Sequence, residues 1–387
     1  MQKKICVMTS AHPPFDVRIF HKECKSLAAA GYDVALVVPY HESLVKDGVR
    51  IVATPPRAGR LRRMTRGVFD VLRAANREDA DLYHFHDPEL IPAGIVLRLL
   101  GRKVIYDIHE NLPETLSYKP YLPAWLRTPA FVRMVALLEK MASRFFSGLI
   151  TTTSFLTNRF SPSNRKIALV RNYPLLDEFT FSDSIEVRNS AFIYVGSRLT
   201  EGRGMPQLVE AIGLVPAGAS ARLQLAGTFD PPELQERLQA FPGWQRTEVL
   251  GYLGRSQVAE VLSRALAGLA VLQPEPNNVQ GLSTKLYEYM ASGLPVIASD
   301  FPSFRAVVEE ARCGLVVDPM DARAIAEAMI YLLENPAEAR AMGERGRSAV
   351  LHKFNWNAEQ QNLLDLYDEL LFPVAQPVSV GTTRELP

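Results

Sequence analysis

The chain has 387 residues, a length that suits two domains better than one compact core. Hydrophobic residues make up 47% of it and charged residues 22%, which is ordinary for a globular protein. The net charge of +1 excludes a globally basic surface, so no nucleic-acid partner is expected. Cys6, Cys24 and Cys313 are odd in number and scattered, which excludes a disulfide framework and indicates a reducing compartment.

The apolar run at residues 5–8 is too short for the core of a signal peptide. No stretch approaches the roughly 20 apolar residues that a membrane-spanning helix needs. The expected location is therefore the cytoplasm, with the protein either free or lying on the inner face of the cell membrane.

Short β-rich runs alternate with helical patterns through the first half of the chain. The predicted strands are residues 5–9, 33–38, 82–86, 104–107, 149–153 and 167–170, with helices at 18–30, 89–100 and 131–146. This alternation predicts an α/β domain over residues 1–172, with a parallel sheet and helices on both of its faces.

The pattern falters at residues 173–190, where Pro174 and several acidic residues stand, and we interpret this stretch as an interdomain linker. A second alternating set fills residues 191–355. Its predicted strands are 191–195, 222–226, 248–250, 268–272, 295–298 and 315–317, and its helices are 205–215, 232–240, 257–265, 284–292 and 322–333. A final helix at 356–371 could cross back to the first domain, and the tail at 372–387 is expected to be disordered.

The motif at residues 280–295 carries the most chemistry. Gly281 lets a backbone approach a ligand closely, and Ser283 or Thr284 can cap the helix that follows. The first amides of that helix, near Leu282, would favour a phosphate.

Inside the same helix, Lys285 and Glu288 are three residues apart and share a face. An ordinary loop, helix and strand with a solvated Lys–Glu pair explains the pattern equally well.

A second motif, residues 195–204, runs from a strand through a glycine-containing loop to a predicted helix at Met205. Arg198 and Arg203 are expected to leave this loop on the cleft side, where paired arginines could grip a diphosphate. The alternative is a solvated turn with two exposed arginines.

Both motifs resemble the retaining glycosyltransferases of family 4, and the order of elements matches that family up to about residue 371. The family's G-x-R-x-x-x-x-K-G loop is matched at Gly196, Arg198, Arg203 and Gly204, with arginine in place of lysine at Arg203. The resemblance implies the GT-B fold, in which two Rossmann-like, doubly wound domains face each other across a cleft. It also implies that the first domain binds the acceptor and the second binds the nucleotide sugar.

The family carries two glutamates separated by seven residues. Glu288 matches the second, which implies a hydrogen bond to the nucleotide ribose. Gln280 stands where the first is expected, a position that touches the hexose in the family. Glutamine can still donate and accept hydrogen bonds there, but the departure leaves the donor sugar unassigned.

Histidines follow two strands of the first half. His109 resembles the family's strand-end histidine, which implies contact with the transferring sugar; the alternative is a structural histidine bonded to backbone. His84 and His86 have a spacing seen at zinc sites, but no cysteine lies near, so no metal site is expected.

The first strand-to-helix turn is expected to face the cleft and shape the acceptor pocket. Its candidate acceptor-side residues are His12, Asp16 and Arg18. The base pocket of the family is partly backbone, which by resemblance points to Tyr252 and Leu253.

The resemblance implies a nucleotide diphosphate sugar as donor, most simply UDP- or GDP-linked, and retention of the anomeric configuration. His109, Arg198 and Arg203 are the expected catalytic residues, and the donor-binding residues are Gly196, Tyr252, Gln280, Gly281, Leu282, Ser283, Lys285 and Glu288. No metal or other cofactor is expected, because cations and amides would stabilise the leaving diphosphate. The expected acceptor is a saccharide or lipid-linked saccharide in bacterial polysaccharide or lipopolysaccharide biosynthesis.

A basic stretch indicates a membrane contact. It contains Arg57, Arg60, Arg62, Arg63, Arg66, Arg73 and Arg77, opposed only by Asp70. With Tyr118, Tyr121 and Trp125 it could meet an anionic bilayer, where each cation contributes about 1 kcal/mol. The alternative is an exposed basic face without a partner.

Two other functions stay open. A sugar-nucleotide epimerase of the same fold would use the same cleft without an acceptor. A nucleotide-sugar-binding protein that supports a partner enzyme is the second, because Gln280 departs from the family pattern. A dinucleotide oxidoreductase is disfavoured, since the first strand-to-helix turn lacks the expected glycines.

Overall fold

Two parallel sheets organise the chain. The structure, a computed structural model, describes residues 2–118, 122–179 and 190–373. The strands of the first sheet are β1 (Lys4–Met8), β2 (Asp33–Pro39), β3 (Leu44–Lys46), β4 (Val49–Thr54), β5 (Leu82–Phe85), β6 (Lys103–Ile108), β7 (Gly148–Thr151) and β8 (Ile167–Leu169). They lie in the order β3-β4-β2-β1-β5-β6-β7-β8, and within the described residues only β3 runs antiparallel to its neighbour.

The second sheet is wholly parallel over the described residues. Its strands are β9 (Ala191–Leu199), β10 (Arg222–Phe229), β11 (Thr247–Gly251), β12 (Ala267–Ala270), β13 (Val296–Ser299) and β14 (Gly314–Val317). Their order is β11-β10-β9-β12-β13-β14, so the strand order reverses beside β9. Ligands of open α/β sheets bind at such a reversal, outside the carboxyl ends of the strands.

Helices cover both faces of each sheet, which is why the strands are apolar along their length. The α-helices are α1 (Lys25–Ala29), α2 (Arg60–Arg62), α3 (Val68–Arg77), α4 (Ile91–Leu99), α5 (Leu112–Tyr118), α6 (Pro129–Phe145), α7 (Ser154–Phe160), α8 (Met205–Leu214), α9 (Glu233–Leu238), α10 (Arg255–Arg264), α11 (Pro276–Gln280), α12 (Thr284–Ala291), α13 (Pro302–Ala311), α14 (Ala322–Glu334), α15 (Pro336–His352) and α16 (Trp356–Leu371). A π-helical segment, Val17–Cys24, precedes α1. The predicted fold class, two doubly wound α/β domains, is confirmed.

The hairpin of β3 and β4 is absent from the sequence-based prediction. Lys46 pairs with Val49, so Asp47 and Gly48 form a two-residue turn. Both turn residues have positive φ, 50° and 78°. Asp-Gly is a preferred pair for such a turn, so the hairpin could have been predicted from the sequence.

Part of the predicted linker, residues 173–190, belongs to the core of the second domain. Tyr173 and Phe179 are buried in the core of the second domain, so the start of this stretch already packs there. Residues 180–189 of the linker, residues 374–387 of the predicted tail, and Tyr121 lie outside the described residues.

The last helix, α16, packs against the first domain. Leu363, Leu366 and Leu370 lie in the same core cluster as the strands β1 and β2. The Tyr367 hydroxyl is 2.8 Å from His84 Nδ1. Among the helices of the described residues, none is both long and apolar enough to cross a bilayer.

Candidate active site

A cavity of about 360 Å³ opens at the carboxyl end of the second sheet. The residues that matter on its wall are Gly196, Tyr252, Leu253, Thr284, Lys285 and Glu288. The structure thus brings the two sequence motifs to one site. Tyr252 stands at the rim, with 72% of its surface exposed, whereas Glu288 is half-buried.

Lys285 reaches into this cavity past Gly196. A Cβ on Gly196 would lie 3.2 Å from Lys285 Cε and 3.0 Å from the Tyr194 ring, so glycine leaves room for the lysine stem. Burial, together with the nearby charge of Arg203, lowers the pKa of Lys285 to about 7. An arriving anion would reverse this shift, because an opposite charge favours the charged form.

The two arginines of the loop go to different places. Arg203 ends a short turn, Glu201–Arg203, and is half-buried close enough to Lys285 to affect its charge. Arg198 is 72% exposed in its side chain, and its Nη1 lies 2.9 Å from Asp230 Oδ2. Arg198 thus pairs with Asp230 at the surface, whereas Arg203 lies near Lys285, and the catalytic role of Arg198 stays a prediction.

Two glycines let backbone segments meet beside the cavity. Gly204 has φ of 74°, and a Cβ there would lie 2.5 Å from the carbonyl oxygen of Val271. A Cβ on Gly281 would collide with the carbonyl oxygen of Asn277. Both positions require glycine for close packing, and Gly204 requires it for its left-handed conformation as well.

The start of α12 differs from its predicted cap. Ser283 is the residue before the helix, but its side chain makes no capping hydrogen bond. The prediction that Ser283 or Thr284 caps this helix is wrong, because the Ser283 hydroxyl makes no such bond and Thr284 is already the first residue of the helix. Leu282 and Gly281 instead line a second cavity of about 190 Å³, whose opposite wall is formed by His109.

His109 stands at the carboxyl end of β6, on the first domain's side of the cleft. A quarter of its side chain is exposed, and its Nε2 lies 3.2 Å from Asp107 Oδ2 and 3.2 Å from His86 Nδ1. The ring borders both the second cavity and a third one of about 90 Å³ that Gln280 also lines. One edge is thus anchored to the protein while the ring still reaches the cleft.

Arg18 lies beneath this histidine and is only 5% exposed. Its Nε and Nη2 donate to Asp107 at 3.0 and 2.9 Å, and its Nε is 3.0 Å from Glu23. Its Nη1 donates to the Val170 carbonyl at 3.1 Å. The expectation that Arg18 lines the acceptor pocket is wrong, because every one of these contacts holds it in the interior.

Four buried groups of metal-ligating type surround Arg18. Glu23, His84, His86 and Asp107 place ligand atoms within 4.8 Å of one another. The sequence interpretation of the two histidines missed the carboxylates, which come from other segments. Arg18 contacts both carboxylates and supplies there the positive charge that a metal ion would bring.

A proton on Glu23 brings the net charge of this buried cluster to zero. Burial raises the pKa of Glu23 well above its usual range, despite the opposing effect of Arg18. Burial lowers the pKa of His86 to about 4. With Arg18 charged, Asp107 ionised, Glu23 protonated and both histidines uncharged, the cluster is neutral, which is the state that burial favours.

The other two candidate acceptor-side residues, His12 and Asp16, also have partners within the first domain. His12 Nδ1 lies 3.1 Å from Asp87 Oδ1, and its ring is 5.8 Å from that of His109. Burial lowers the pKa of His12, but the hydrogen bond and charge of Asp87 outweigh it and raise the pKa. Asp16 Oδ1 caps the π-helical segment by accepting from the Arg18 amide at 2.9 Å.

Matches to family models cover both domains. Residues 17–172 match the model described as "Glycosyl transferase 4-like domain", and residues 177–349 match "Glycosyl transferases group 1". The chain is a family 4 glycosyltransferase. The family that the sequence motifs indicated is thereby confirmed.

Curated relatives of this glycosyltransferase span most of its length. It is 24% identical over 319 residues to the MMP alpha-(1->4)-mannosyltransferase of Mycolicibacterium hassiacum, covering 78% of this chain and 74% of the relative. It is 22% identical over 342 residues to the phosphatidyl-myo-inositol mannosyltransferase of Mycobacterium leprae, covering 86% and 82%.

A solved structure shows the same fold. The Anabaena protein HepE in complex with UDP-glucose superimposes with a TM-score of 0.72 and 15% identity, covering 95% of this glycosyltransferase and all of that chain.

Proposed function

We propose that this glycosyltransferase moves a hexose-type sugar from a UDP- or GDP-linked donor with retention of configuration and without a metal ion. The observation that carries the proposal is that two cations, Lys285 and Arg203, lie close together beside the cavity of about 360 Å³, called the main cavity below. The charge of Arg203 repels that of the buried Lys285 and lowers the pKa of the lysine. A diphosphate relieves that repulsion, so the pair favours an anion over any neutral ligand.

The same pair suits the chemistry. In the proposed step the glycosidic C–O bond to the diphosphate breaks, and the acceptor oxygen forms a new bond to the anomeric carbon on the same face. Negative charge develops on the departing phosphate oxygen, which takes the acceptor's proton. Arg203 and Lys285 stabilise that charge, and such groups contribute most in a site from which water is excluded.

His109 and Glu288 complete the donor site in this proposal. Glu288 faces the main cavity, where its carboxylate can accept hydrogen bonds from a ribose. His109 borders the cavities that lie between the two domains, where the transferring sugar would stand. Asp107 holds the ring from behind, as a second group commonly orients a reactive histidine.

A donor screen tests the proposal. Thermal shift and turnover are measured with UDP, GDP, ADP and dTDP sugars, and the anomeric configuration of the product is assigned by NMR. We expect one donor class to give a product with the donor's configuration, and EDTA to leave the rate unchanged. Inversion, or loss of activity with EDTA that magnesium restores, would overturn the mechanism.

We further propose that the acceptor is lipid-linked and that the first domain lies on an anionic bilayer. The support is helix α6, which buries polar or small residues and exposes large apolar ones. Its buried residues are Glu139, Ala142 and Ser143. Its large apolar residues face outward: Met134, Leu137, Leu138, Met141 and Phe145 are 41–58% exposed.

Charge favours a membrane over another apolar partner. Arg133, Lys140 and Arg144 are exposed on α6, whereas its acidic residue, Glu139, is buried against Arg159 at 2.7 Å. An apolar groove of about 600 Å³ runs between α6 and α4. Leu61, in the arginine-rich stretch of the first domain, is also exposed (77%). Basic residues beside inserted apolar ones are typical of helices that lie in a membrane interface.

Liposome flotation tests this surface. We expect the wild-type protein to float with vesicles of phosphatidylcholine and phosphatidylglycerol, and the triple variant Leu137→Gln, Leu138→Gln, Met141→Gln to remain in solution. Leu351→Gln, at a leucine 46% exposed on α15, is the matched control and should float. Equal flotation of the triple variant, or a stable dimer that the triple variant alone disrupts, would contradict the membrane assignment.

A further inference from the structure

Gln280 forms hydrogen bonds across the cleft. Its Nε2 donates to Glu114 Oε1 at 3.1 Å, and its Oε1 accepts from Asn111 Nδ2 at 3.4 Å. Asn111 Nδ2 also donates to the second oxygen of Glu114 at 2.8 Å. Glu114 and Asn111 belong to the first domain and Gln280 to the second, so the three side chains join the two sides of the cavity.

The carboxylate fixes which way the amide points. An ionised carboxylate only accepts hydrogen bonds, so the nitrogen of Gln280, and not its oxygen, must face Glu114. One N–H and one lone pair of the amide are then left for a ligand in the cavity that Gln280 lines. A sugar hydroxyl, which both donates and accepts, matches this pair of groups.

The same geometry disfavours glutamate at position 280. A carboxylate there would stand about as far from Glu114 as Gln280 Nε2 does, 3.1 Å. Two carboxylates at that distance cannot both stay ionised, so they would share a proton or push the domains apart. Glutamine stands at position 280, where the family has glutamate. The carboxylate of Glu114 across the cleft explains this difference.

A neighbouring contact holds the same two helices. Asn277 Nδ2, on α11, donates to Thr115 Oγ1, on α5, at 2.7 Å. Beyond Asn111 the bonds continue into the first domain, because Asn111 Oδ1 accepts from Arg159 Nη1 at 2.8 Å and Arg159 pairs with the buried Glu139. Glu114 thus approaches Gln280 from a fixed support.

We propose that Glu114 is a positioning residue for the donor sugar: it orients the Gln280 amide across the cleft and makes glutamine the residue that reads a pyranose hydroxyl. The proposal rests on the donor site described above. It couples sugar recognition to domain closure, since the group that contacts the sugar is oriented only when the two domains meet.

A double-mutant cycle that exchanges the carboxylate and the amide between positions 114 and 280 tests the proposal. Wild type, E114Q, Q280E and the double variant E114Q/Q280E are compared by donor KM and kcat at pH 8, with UDP-glucose and GDP-mannose as probes. We expect Q280E to raise the donor KM about tenfold or more, the size of one lost hydrogen bond to a charged group. The double variant should return to within about threefold of wild type, because it restores one carboxylate facing one amide.

The pH profile separates this role from a merely structural one. In Q280E the facing carboxylates share a proton at low pH, so its donor KM should approach the wild-type value near pH 5.5 and diverge by pH 8. The double variant should show no such recovery. Q361E is the matched control, because Gln361 donates to Asp365 at 2.7 Å on an exposed face of α16. Its donor KM should stay at the wild-type value throughout.

Two outcomes would overturn the positioning role: a Q280E enzyme equal to wild type at pH 8, or a double variant no better than Q280E. Failure of the proposed function looks different, because the wild type would then turn over no sugar nucleotide. In that case the melting temperatures of the four proteins still test the pairing. Q280E should melt lower than wild type at pH 8 and the double variant should recover; no recovery removes Glu114 as the partner.

Discussion

The two walls of the cleft are built in opposite ways. The wall of the second domain is a short loop and a helix start, where Gly196 and Gly204 let backbones approach and Lys285 enter the cavity. The wall of the first domain rests on buried charges, with Arg18 and Asp107 beneath His109. One wall depends on having no side chain at a few positions, and the other on having charged side chains where solvent is absent.

This difference decides what a substitution does. Removing a charge from the first wall leaves its buried partners unpaired, so the first effect is on stability. Removing a charge from the second wall leaves a cavity that water can fill, so the first effect is on the reaction. The expected results below are ordered by size and each would sharpen or break that contrast.

Arg18→Ala has the largest expected effect. It leaves the ionised Asp107 buried without its cation, which should lower the free energy of unfolding by about 3–5 kcal/mol. Urea denaturation followed by circular dichroism measures it. The control is Arg264→Ala, at a pair exposed by 58% on both sides, where we expect less than about 0.5 kcal/mol. Equal losses in the two variants would show that the buried cluster does not support the first wall.

Arg203→Ala should act on turnover instead. Loss of one cation at the leaving diphosphate should cost about 2–4 kcal/mol of transition-state stabilisation, or roughly 30- to 1000-fold in kcat. Arg237→Ala removes an arginine that is 65% exposed and paired with Glu201, and its kcat should match wild type. Steady-state kinetics gives both values. An unchanged kcat for Arg203→Ala would remove Arg203 from the mechanism.

Gly204→Ala tests the second wall through its backbone. A left-handed φ of 74° and the nearby Val271 carbonyl should cost about 1–3 kcal/mol of stability. Gly218→Ala is the control, because a Cβ there would meet nothing within 4 Å. Thermal unfolding compares them. If both variants melt alike, close backbone approach at Gly204 is not what shapes the loop.

The contrast also explains what the sequence could predict. The second wall lies in contiguous segments, so Gly196, Lys285 and Glu288 were identified from spacing and family resemblance together. The contact of Arg198 with Asp230 could not be predicted in the same way, because Asp230 lies 32 residues away, on another loop. Local spacing carries no information about such a pair.

The first wall was predicted less well for the same reason. His109 was visible at a strand end, and Asp107 two residues before it could have been found there. The role of Arg18 could not, because it depends on an aspartate 89 residues further along the chain. Glu114 was missed because its partner, Gln280, belongs to the other domain.

The return of α16 to the first domain has a consequence for synthesis. Trp356, Leu363 and Leu370 complete a core that the strands β1 and β2 begin, and Tyr367 bonds His84 at its centre. Domains otherwise tend to fold in the order in which the ribosome releases them. Here the core of the first domain must wait for α16, which follows the whole second domain in the chain. The core of the second domain ends at Phe354 and can close earlier, so the first domain is the later of the two to be finished.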